Sequence, residues 1–427
     1  MERSRLNCSP GVSAARGNLL SVPTSVWSRV ALIFLGGFFE FYDIFFAGYI
    51  APGLVRSGIL APTGVAGGVA GFVAAMFSGL FVGTALVSFA ADRFGRRAIF
   101  TYSLLWYTVA SVIMAFQHDA FGLNLWRFVS GIGVGVELVT IDTYLSELVP
   151  ANLRGRAFAI NQAIQFCAVP VVALLAWLLV PRAPLGLDGW RWVVLLGATG
   201  AILVWWIRRR VPESPRWLAQ QKTPVGRGFV EMWRPPYRTR SAMLVVFQLF
   251  QTVGFYGFSN WVPTLLIKRG IAITSSLRYT FIIAIASPFG PLLAASIADR
   301  LERKWQIVFS AFAIAMSGLL FGQMNAAGSL IFFGVLLTLS NNILSFSGHA
   351  YQAELYPTRI RAMAVGFVYS WSRISVVFSS FVIGFFLDRF GVAGVFSLIA
   401  GSMLIVMLAI GLLGPRTNNL ALETISN

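Results

Sequence analysis

The sequence predicts an all-α membrane protein with twelve transmembrane helices in two six-helix repeats. Of its 427 residues, 57% are hydrophobic and only 11% are charged, and the mean hydropathy is +0.74. A soluble domain carries about 25% charged residues, so this composition is typical of a protein in lipid. An Asp-Arg motif also recurs between apolar stretches, at 91–97 and again at 298–304. Such recurrence indicates an internal repeat, and membrane transporters bind substrate between their repeats.

Twelve apolar segments are long enough to cross a bilayer. A helix needs about 20 mostly apolar residues to span the hydrocarbon. Windows of that length predict helices at roughly 27–50, 66–90, 98–116, 121–143, 158–180, 190–208, 241–266, 274–298, 305–324, 329–350, 362–387 and 391–413. The Asp-Arg motif follows the second helix of each half, so the two halves correspond in order.

The net charge of +17 is distributed unevenly along the chain. With the N-terminus in the cytoplasm, most of the 33 Lys and Arg residues fall in cytoplasmic segments. This asymmetry follows the positive-inside rule and predicts that both termini are cytoplasmic, in a bacterial inner membrane. The basic residues then face anionic lipid, and no nucleic-acid partner is expected. The external loops hold only Arg56, Arg182, Arg191, Lys268, Arg269, Arg278 and Arg389.

The segments outside the helices complete the expected domain organisation. Residues 1–25 are polar and Ser-rich, which predicts a disordered cytoplasmic tail and no signal peptide. Residues 26–208 and 241–413 form the two six-helix bundles, 209–240 a basic, proline-rich cytoplasmic linker, and 414–427 a second cytoplasmic tail. Cys8 and Cys167 offer neither a disulfide framework nor a metal site. We expect no cofactor, no bound metal and a monomer.

Charged loops on the cytoplasmic side recur at matched positions of the two halves. After the Asp-Arg motif come Glu147-Leu-Val-Pro150 in the first half and Glu354-Leu-Tyr-Pro357 in the second. An acidic helix end that pairs with Arg residues of a neighbouring loop in only one conformation forms a bistable latch. The alternative is that these charges only set topology. The predicted latch comprises Asp92, Arg93, Arg96, Arg97, Glu147, Arg154, Asp299, Arg300, Glu354 and Arg361.

Together these motifs resemble the major facilitator superfamily, in its broad sugar-and-other-transporter group. The similarity covers residues from about 27 to 413. It rests on the Asp92 loop, Arg127-Phe-Val-Ser-Gly131-Ile-Gly133-Val-Gly135, the Glu147 loop, Pro212-Glu213-Ser214-Pro215-Arg216-Trp217-Leu218 and the Glu354 loop. Glu302 departs from the pattern, because the first copy has Gly95 there. The resemblance implies the major facilitator fold with alternating access, and it is specific for fold rather than substrate.

Ionisable residues inside the membrane are functional candidates, because a buried charge is costly unless it is paired. Glu40 and Asp43 share a face of the first helix, and two close carboxylates disfavour each other's ionisation, which suits a proton carrier. Arg127, near the outer end of the fourth helix, is the natural counter-ion. The resemblance implies the same pair, since proton-coupled sugar porters join an Asp of helix 1 to the Arg that opens helix 4. Glu137 is either a second protonation site or a helix–helix hydrogen bond, and a static ion pair is the alternative for Asp43.

Arg373, in the middle of the eleventh helix, indicates an anionic ligand. No acidic residue lies inside the membrane spans of the second half apart from those at loop ends. A guanidinium binds a carboxylate through two parallel hydrogen bonds, so a cation facing the central cavity is explained by an organic anion. The alternative is an ion pair across the two halves, with Glu40 or Glu137.

Further substrate contacts are expected from a comparison with sugar porters. Those proteins hold a hexose with amides of helices 5 and 7 and a Trp of helix 10. Here Gln162 and Gln251 keep two of the amides, Tyr256 lies near an expected Asn, and His349 stands for the Trp. Several hydroxyl partners of a sugar are therefore missing. Aromatic residues could instead enclose a flat apolar body: Phe250, Phe255, Tyr256, Trp261, Tyr369 and Trp371.

We therefore expect a proton-coupled symporter of a small organic acid, aromatic acids included. Its partners would be a small anionic substrate, protons and membrane lipid. Sugar or polyol symport and drug/proton antiport remain alternatives, although antiport of cationic drugs fits Glu40 and Glu137 but not Arg373. A non-transporting nutrient sensor would need a sizeable cytoplasmic segment. An enzyme would need a nucleophile–base pair, a metal cluster or a phosphate loop, and the sequence shows none outside the membrane.

Overall fold

The computed structural model describes residues 24–62, 67–84, 96–148, 154–208, 230–297 and 300–417. These residues form long helices joined by short connections. The helices are α1 Thr24–Arg56, α2 Val69–Val82, α3 Arg96–Ala115, α4 Ala120–Leu148, α5 Arg154–Phe166 with Ala168–Leu179, α6 Gly189–Arg208, α7 Tyr237–Ser259 with Val262–Lys268, α8 Ile273–Ala284 with Phe289–Ile297, α9 Arg303–Gln323, α10 Ala327–Glu354, and Thr358–Leu413, which contains α11 (358–390) and α12 (392–413). In the described part of the chain, this order matches the twelve predicted segments.

Interruptions inside the helices follow from particular residues. Gly391 separates α11 from α12, because its backbone (φ 65°, ψ −163°) is one that residues with a side chain rarely adopt. A proline lies four residues after the last residue of the first piece of α5, α7 and α8, at Pro170, Pro263 and Pro288. The proline ring clashes with the carbonyl four residues earlier and removes one helical hydrogen bond. The first piece of each helix therefore ends at the residue whose carbonyl group would clash with the proline ring.

Glycines bring α2 and α4 into backbone contact. A Cβ at Gly131 would meet the carbonyl oxygen of Met76, and a Cβ at Gly135 would meet that of Leu80. Gly79, on α2, lies equally close to the backbone of α4. Small residues let membrane helices approach at short range. This run therefore fixes the position of α4 and of the charged residues that it carries.

The two bundles contact each other through α5 and α8 and through α2 and the helix Thr358–Leu413. We name the side where α6 ends and α7 begins the linker side, and the opposite side the far side. On the far side, Gly48 of α1 lies against the backbone of Asn260, where α7 is interrupted. The ring of Trp177 on α5 stacks on Phe281 of α8 at 5.8 Å, with 18° between the ring planes. These contacts close the space between the bundles on the far side.

The predicted number and type of helices are confirmed, and some segment boundaries move. Eight of the described helices are long and apolar enough to cross a membrane by length and composition alone, with α11 and α12 counted as one. The first helix begins at Thr24, inside the predicted tail, and α7 begins at Tyr237, inside the predicted linker. Residues 1–23, 209–229 and 418–427 lie outside the described residues, so the predictions for both tails and most of the linker stay predictions.

The start of the predicted C-terminal tail packs against the second bundle. Lys304 Nζ donates a hydrogen bond to the carbonyl oxygen of Gly414 at 2.8 Å. The backbone N–H of Thr417 donates to a carboxylate oxygen of Glu302 at 2.9 Å. Glu302, the residue that departs from the repeat, thus holds the segment that follows α12.

Candidate functional site in the central cavity

A cavity of about 470 Å³ lies between the two bundles. Helices α1, α4 and α5 line it from the first bundle, and α7, α10 and α11 line it from the second. It extends toward the linker side as far as Ala353 and Arg303, at the ends of α10 and α9. A volume of roughly 300–1,000 Å³ suits a small molecule. The position between two repeats is the one at which transporters bind substrate.

Arg373 places a positive charge in the wall of this cavity. Its Nη1 donates to the hydroxyl of Tyr256 at 3.0 Å, and its Nη2 donates to the hydroxyl of Tyr369 at 2.7 Å. The residue is 1% exposed, and its Nε has no hydrogen-bond partner among the described residues. Its hydrogen-bond partners are therefore neutral phenols. The acidic residue with which it interacts electrostatically is Glu40, on α1 of the other bundle.

The face of α11 that lines the cavity carries Tyr369, Ser372 and Arg373. These positions are three and four residues apart, so they share one side of a helix. Trp371 does not line the cavity, and its ring packs against Phe367 at a centroid distance of 6.2 Å. The structure thereby corrects the assignment of Trp371 to the substrate site. Trp371 is two residues after Tyr369, and this separation rotates its side chain by more than half a turn around the helix axis. The two side chains therefore lie on different faces of α11.

Neutral amides supply most of the other polar groups in the wall. Gln162 and Gln251, two of the predicted substrate contacts, line the cavity, and Asn161 and Gln165 line it beside Gln162 on α5. Asn161 and Gln165 were not among the predicted contacts, although Gln165 lies three and four positions after Gln162 and Asn161 and shares their helical face. Gln251 donates through Nε2 to Oε1 of Gln248 at 3.0 Å. The cavity thus combines one buried cation with several neutral hydrogen-bonding groups.

His349 lies in the part of the wall that α10 provides. Its ring centroid is 5.0 Å from that of Tyr369, with the planes tilted by 58°. Its Nδ1 lies 3.2 Å from Nε2 of Gln352. Because Tyr369 also accepts a hydrogen bond from Arg373, His349 and Arg373 share a neighbour. His349, the predicted polar contact, and Arg373, the predicted cation, therefore lie on adjoining parts of the cavity wall.

Aromatic rings form the apolar part of the wall. Phe45 stacks on Tyr256 at 6.3 Å, with 25° between the ring planes, and Phe166 lies 6.1 Å from Phe255. Rings at these separations pack in the arrangements that aromatic pairs favour. They form a surface suited to a flat apolar body. Of the expected aromatic set, Phe255, Tyr256 and Tyr369 line the cavity, whereas Phe250, Trp261 and Trp371 do not.

Asp43 and Arg127 form a buried ion pair inside the first bundle. Arg127 donates through Nη1 to Oδ2 of Asp43 at 2.9 Å and through Nη2 to the backbone oxygen of Asp43 at 2.6 Å. Ser111 of α3 donates to Oδ1 at 2.7 Å, and Ser130 of α4 donates to Oδ2 at 3.0 Å. The pair is outside the wall of the central cavity. The structure brings together the two predicted residues and adds both serines, of which Ser130 lies one turn from Arg127 in the quoted motif.

Glu40 and Glu137 are the other carboxylates in the predicted proton-coupling group. Both are fully buried, on α1 and α4 respectively. Neither belongs to the wall of the central cavity. Glu40 lies one helical turn from Asp43 and interacts electrostatically with Arg373. Glu40 therefore interacts with α11 of the second bundle, whereas Asp43 pairs with α4 inside the first bundle.

Three residues of the predicted latch, Arg300, Glu354 and Arg361, have side chains in the described part of the chain, on the linker side. Glu354, at the end of α10, pairs with Arg303, at the start of α9, with 2.6 Å between Oε1 and Nε. Arg361 donates through Nε to the carbonyl oxygen of Tyr356 at 3.1 Å, and Arg300 is exposed. Arg303 was not among the predicted latch residues, although it belongs to the second Asp-Arg motif. The side chains of the other predicted members lie outside the described part: Asp92, Arg93, Arg96, Arg97, Glu147, Arg154 and Asp299.

The sequence matches the family model of the Major Facilitator Superfamily over residues 33–339 and 280–424. The chain belongs to this superfamily. It is 30% identical to YyaJ of Bacillus subtilis (strain 168), a metabolite transport protein by name, over 89% of this chain and 90% of that one. It is 28% identical to the niacin transporter NiaP of Acinetobacter baylyi over 92% and 94% of the two chains. A solved D-xylose-proton symporter has a TM-score of 0.77 at 20% identity, over 92% of this chain and 98% of that one.

Membership of this superfamily confirms several predictions from the sequence. The chain is an integral membrane transporter with the twelve-helix fold, and it is not an enzyme. Its relatives carry small molecules, so a small-molecule substrate follows as well. Transporters built from two repeats bind such substrates between the repeats, and the cavity described here lies in that position.

Proposed function

We propose that this transporter carries a small organic acid together with a proton by alternating access. The observation that carries the proposal is Arg373, a buried guanidinium in the cavity wall whose hydrogen-bond partners are two neutral phenols. A buried charge is costly unless an opposite charge compensates it. A substrate carboxylate supplies that charge, and the N–H groups of a guanidinium match its two oxygens.

The surroundings of Arg373 favour an acid with an aromatic body. The cavity wall contains the stacked pair Phe45 and Tyr256 and the neighbouring ring of Phe166. NiaP, which is similar over nearly its whole length, is named for niacin, a pyridine carboxylic acid. A ring between aromatic side chains and a carboxylate on Arg373 would use both parts of this wall.

Glu40 offers a way to link anion binding to protonation. It interacts electrostatically with Arg373 across the two bundles. When a substrate carboxylate becomes the partner of Arg373, Glu40 loses part of the positive field that stabilises its negative charge. A carboxylate in that position takes up a proton more readily. Binding of the anion and binding of a proton then favour each other.

The ion pair of Asp43 and Arg127 supplies the second coupling step. Ionised Asp43 accepts bonds from Arg127 on α4 and from Ser111 on α3. Protonation removes its charge and with it the charge-assisted part of these bonds, which are about twice as strong as neutral ones. Helix α1 is then less firmly held against α3 and α4. Movement of α1 opens the far side, where Gly48 now meets Asn260.

By the positive-inside rule, the linker side faces the cytoplasm and both termini are cytoplasmic. The conformation described here is closed on the far side, and its cavity extends toward the linker side. It therefore corresponds to the inward-facing state of the cycle. Substrate would leave this state toward the cytoplasm, in the direction in which a proton gradient drives symport.

Sugar or polyol symport is the second candidate. The amides of Asn161, Gln162, Gln165 and Gln251 in the wall could bind hydroxyl groups. The similarity to the D-xylose-proton symporter at 20% identity concerns the fold alone. A neutral sugar would also leave Arg373 hydrogen-bonded only to neutral groups among the described residues, and for that reason the organic acid is preferred.

Thermal stabilisation of the purified protein tests the substrate class. A ligand that binds the folded state raises the melting temperature. We expect benzoate and nicotinate to stabilise the wild type, and nicotinamide and xylose to have little effect. Arg373→Gln should weaken carboxylate binding about 10- to 100-fold, because hydrogen bonds to charged groups contribute about 1.5–3 kcal/mol.

Arg303→Gln is the matched control, since it removes another guanidinium from the cavity wall. Arg303 is paired with Glu354 rather than with neutral groups. Carboxylate binding should therefore change little in this variant. Stabilisation by xylose alone, or equal losses in the two variants, would contradict the assignment of Arg373 to the substrate carboxylate.

A further inference from the structure

Four polar side chains form a row from α7 to α10, and three of them, Gln251, Gln352 and His349, line the cavity. Gln251 Nε2 donates to Gln248 Oε1 at 3.0 Å, and Gln248 Nε2 donates to Gln352 Oε1 at 2.8 Å. The Nε2 of Gln352 lies 3.2 Å from Nδ1 of His349. The amides all point in the same direction along the row. Because the amide nitrogen of a glutamine only donates, Nδ1 at the end of the row must accept.

An accepting Nδ1 determines where the ring of His349 carries its proton. In a neutral imidazole one nitrogen accepts and the other donates, so Nε2 is the donor here. A doubly protonated ring would have no lone pair for Gln352. It would also add a second positive charge near Arg373, with which His349 interacts electrostatically. The row therefore specifies the neutral tautomer with the proton on Nε2.

We propose that His349 is a neutral hydrogen-bond donor to the substrate carboxylate, and that Gln352 and Gln248 are positioning residues that keep it in this state. The proposal rests on the organic-acid function proposed above. His349 lines the cavity and packs against Tyr369, whose hydroxyl accepts a hydrogen bond from Arg373. One wall thus presents a cation and a neutral donor, and a carboxylate has two oxygens to accept from them.

The direction of the row makes it a determinant of specificity. If every amide were reversed, Gln352 would accept from Nδ1–H, and Nε2 would present a lone pair to the cavity. A lone pair repels an anion, whereas an N–H group attracts it. Gln248 is 1% exposed and is not part of the cavity wall, so its contribution reaches the substrate through Gln352 and His349.

Nitrogen-15 NMR of the histidine ring tests the tautomer directly. The chain has only two histidines, so His118→Gln leaves a spectrum that reports His349 alone. We expect a neutral ring at pH 7 with an unprotonated Nδ1. Gln352→Met, which is similar in size but cannot donate, should give a mixture of both tautomers. A ring protonated on Nδ1, or a doubly protonated ring, in the His118→Gln parent would overturn the inference whether or not any acid binds.

Binding of benzoate tests the link to substrate. His349→Phe should weaken binding about ten-fold, the loss expected for one hydrogen bond to a charged group. Gln352→Met should weaken it by less, because the tautomer with the proton on Nε2 remains part of the mixture. Gln352 also lines the cavity, so the double variant separates a direct contact from an effect through the ring. In the His349→Phe background, Gln352→Met should have no further effect, as expected of a residue that acts through the ring. Independent, additive losses would refute the positioning role.

Two further comparisons keep the outcomes distinct. If Gln352→Met does not fold, Gln248→Met tests the same row one step further from the ligand, and an unchanged tautomer there would overturn the role of the row. If the parent protein binds neither benzoate nor nicotinate, the proposed organic-acid function fails. The NMR result then still decides whether the row fixes the ring.

Discussion

Replacement of Asp43 by Asn tests whether the buried ion pair couples transport to protons. Asn has nearly the same shape and keeps one oxygen that can accept from Arg127. It cannot bind and release a proton near neutral pH, and it carries no charge. Since Asp43 is outside the cavity wall, substrate contacts should stay intact. We expect the variant to lose proton-driven accumulation while it keeps exchange of substrate.

The structure sets the size of the effect. In the variant, Arg127 keeps its bond to the backbone oxygen at residue 43, at 2.6 Å, and the ring of Phe46 at 4.2 Å, but loses its charged partner. Loss of one partner from a buried pair costs about 3–5 kcal/mol. A gradient of one pH unit supplies about 1.4 kcal/mol per proton, which corresponds to about ten-fold accumulation for one proton per substrate. The accumulation ratio should therefore fall from about ten toward one.

The assay uses proteoliposomes with an imposed pH gradient and labelled benzoate. Counterflow exchange, which needs no net proton movement, shows that Asp43→Asn is folded and able to change conformation. Ser111→Ala is the matched control, because it removes one hydrogen bond to the same carboxylate at 2.7 Å and leaves the charge. It should keep uphill accumulation at a lower rate. Unchanged uphill accumulation in Asp43→Asn would exclude Asp43 from proton coupling.

Two further predictions concern packing and conformational change. Gly131→Ala should lower the melting temperature by several degrees, because the new Cβ meets the carbonyl oxygen of Met76 and overpacking costs about 1–3 kcal/mol. Gly366→Ala, with no atom within 4 Å of the added carbon, should leave it unchanged, and equal shifts would disprove the packing argument. Gly48→Leu should prevent closure against Asn260 and let an impermeant thiol reagent reach Ser372→Cys from the far side. If the thiol reagent labels the cysteine at position 372 no faster with Gly48→Leu than without it, α1 and α7 do not form the far-side gate.

The fold was predictable from the sequence because membrane helices are defined by local composition. The length of each apolar window and the recurrence of the Asp-Arg motif need no tertiary information. The breaks in α5, α7 and α8 were also encoded locally, since each ends four residues before Pro170, Pro263 or Pro288. The docking of Thr417 on Glu302 was not predictable, because it joins residues that are far apart in sequence.

The candidate site was predictable where charge alone identified a residue. Asp43, Arg127 and Arg373 are conspicuous in apolar helices, because burying a charge needs a specific reason. Ser111 was not, since serines are common in these helices and only the packing of α3 on α1 makes it a donor to Asp43. Trp371 was assigned wrongly because the number of residues between two positions does not show which face of α11 meets the cavity.

Helix α1 connects the proposed proton site with the proposed substrate site. Asp43 faces Arg127 within the first bundle, and Phe45, two residues later and therefore on another face, stacks on Tyr256 of the second bundle. Tyr256 accepts a hydrogen bond from Arg373. A change in the charge of Asp43 alters how firmly α1 is held in the first bundle. Any rotation of α1 then moves the ring of Phe45, which packs against Tyr256, the hydrogen-bond partner of Arg373. Coupling of two sites requires an element whose position both of them bias. Helix α1 meets this requirement, because one of its faces contacts Arg127 and another contacts Tyr256. The carried proton and the substrate then need no direct contact with each other.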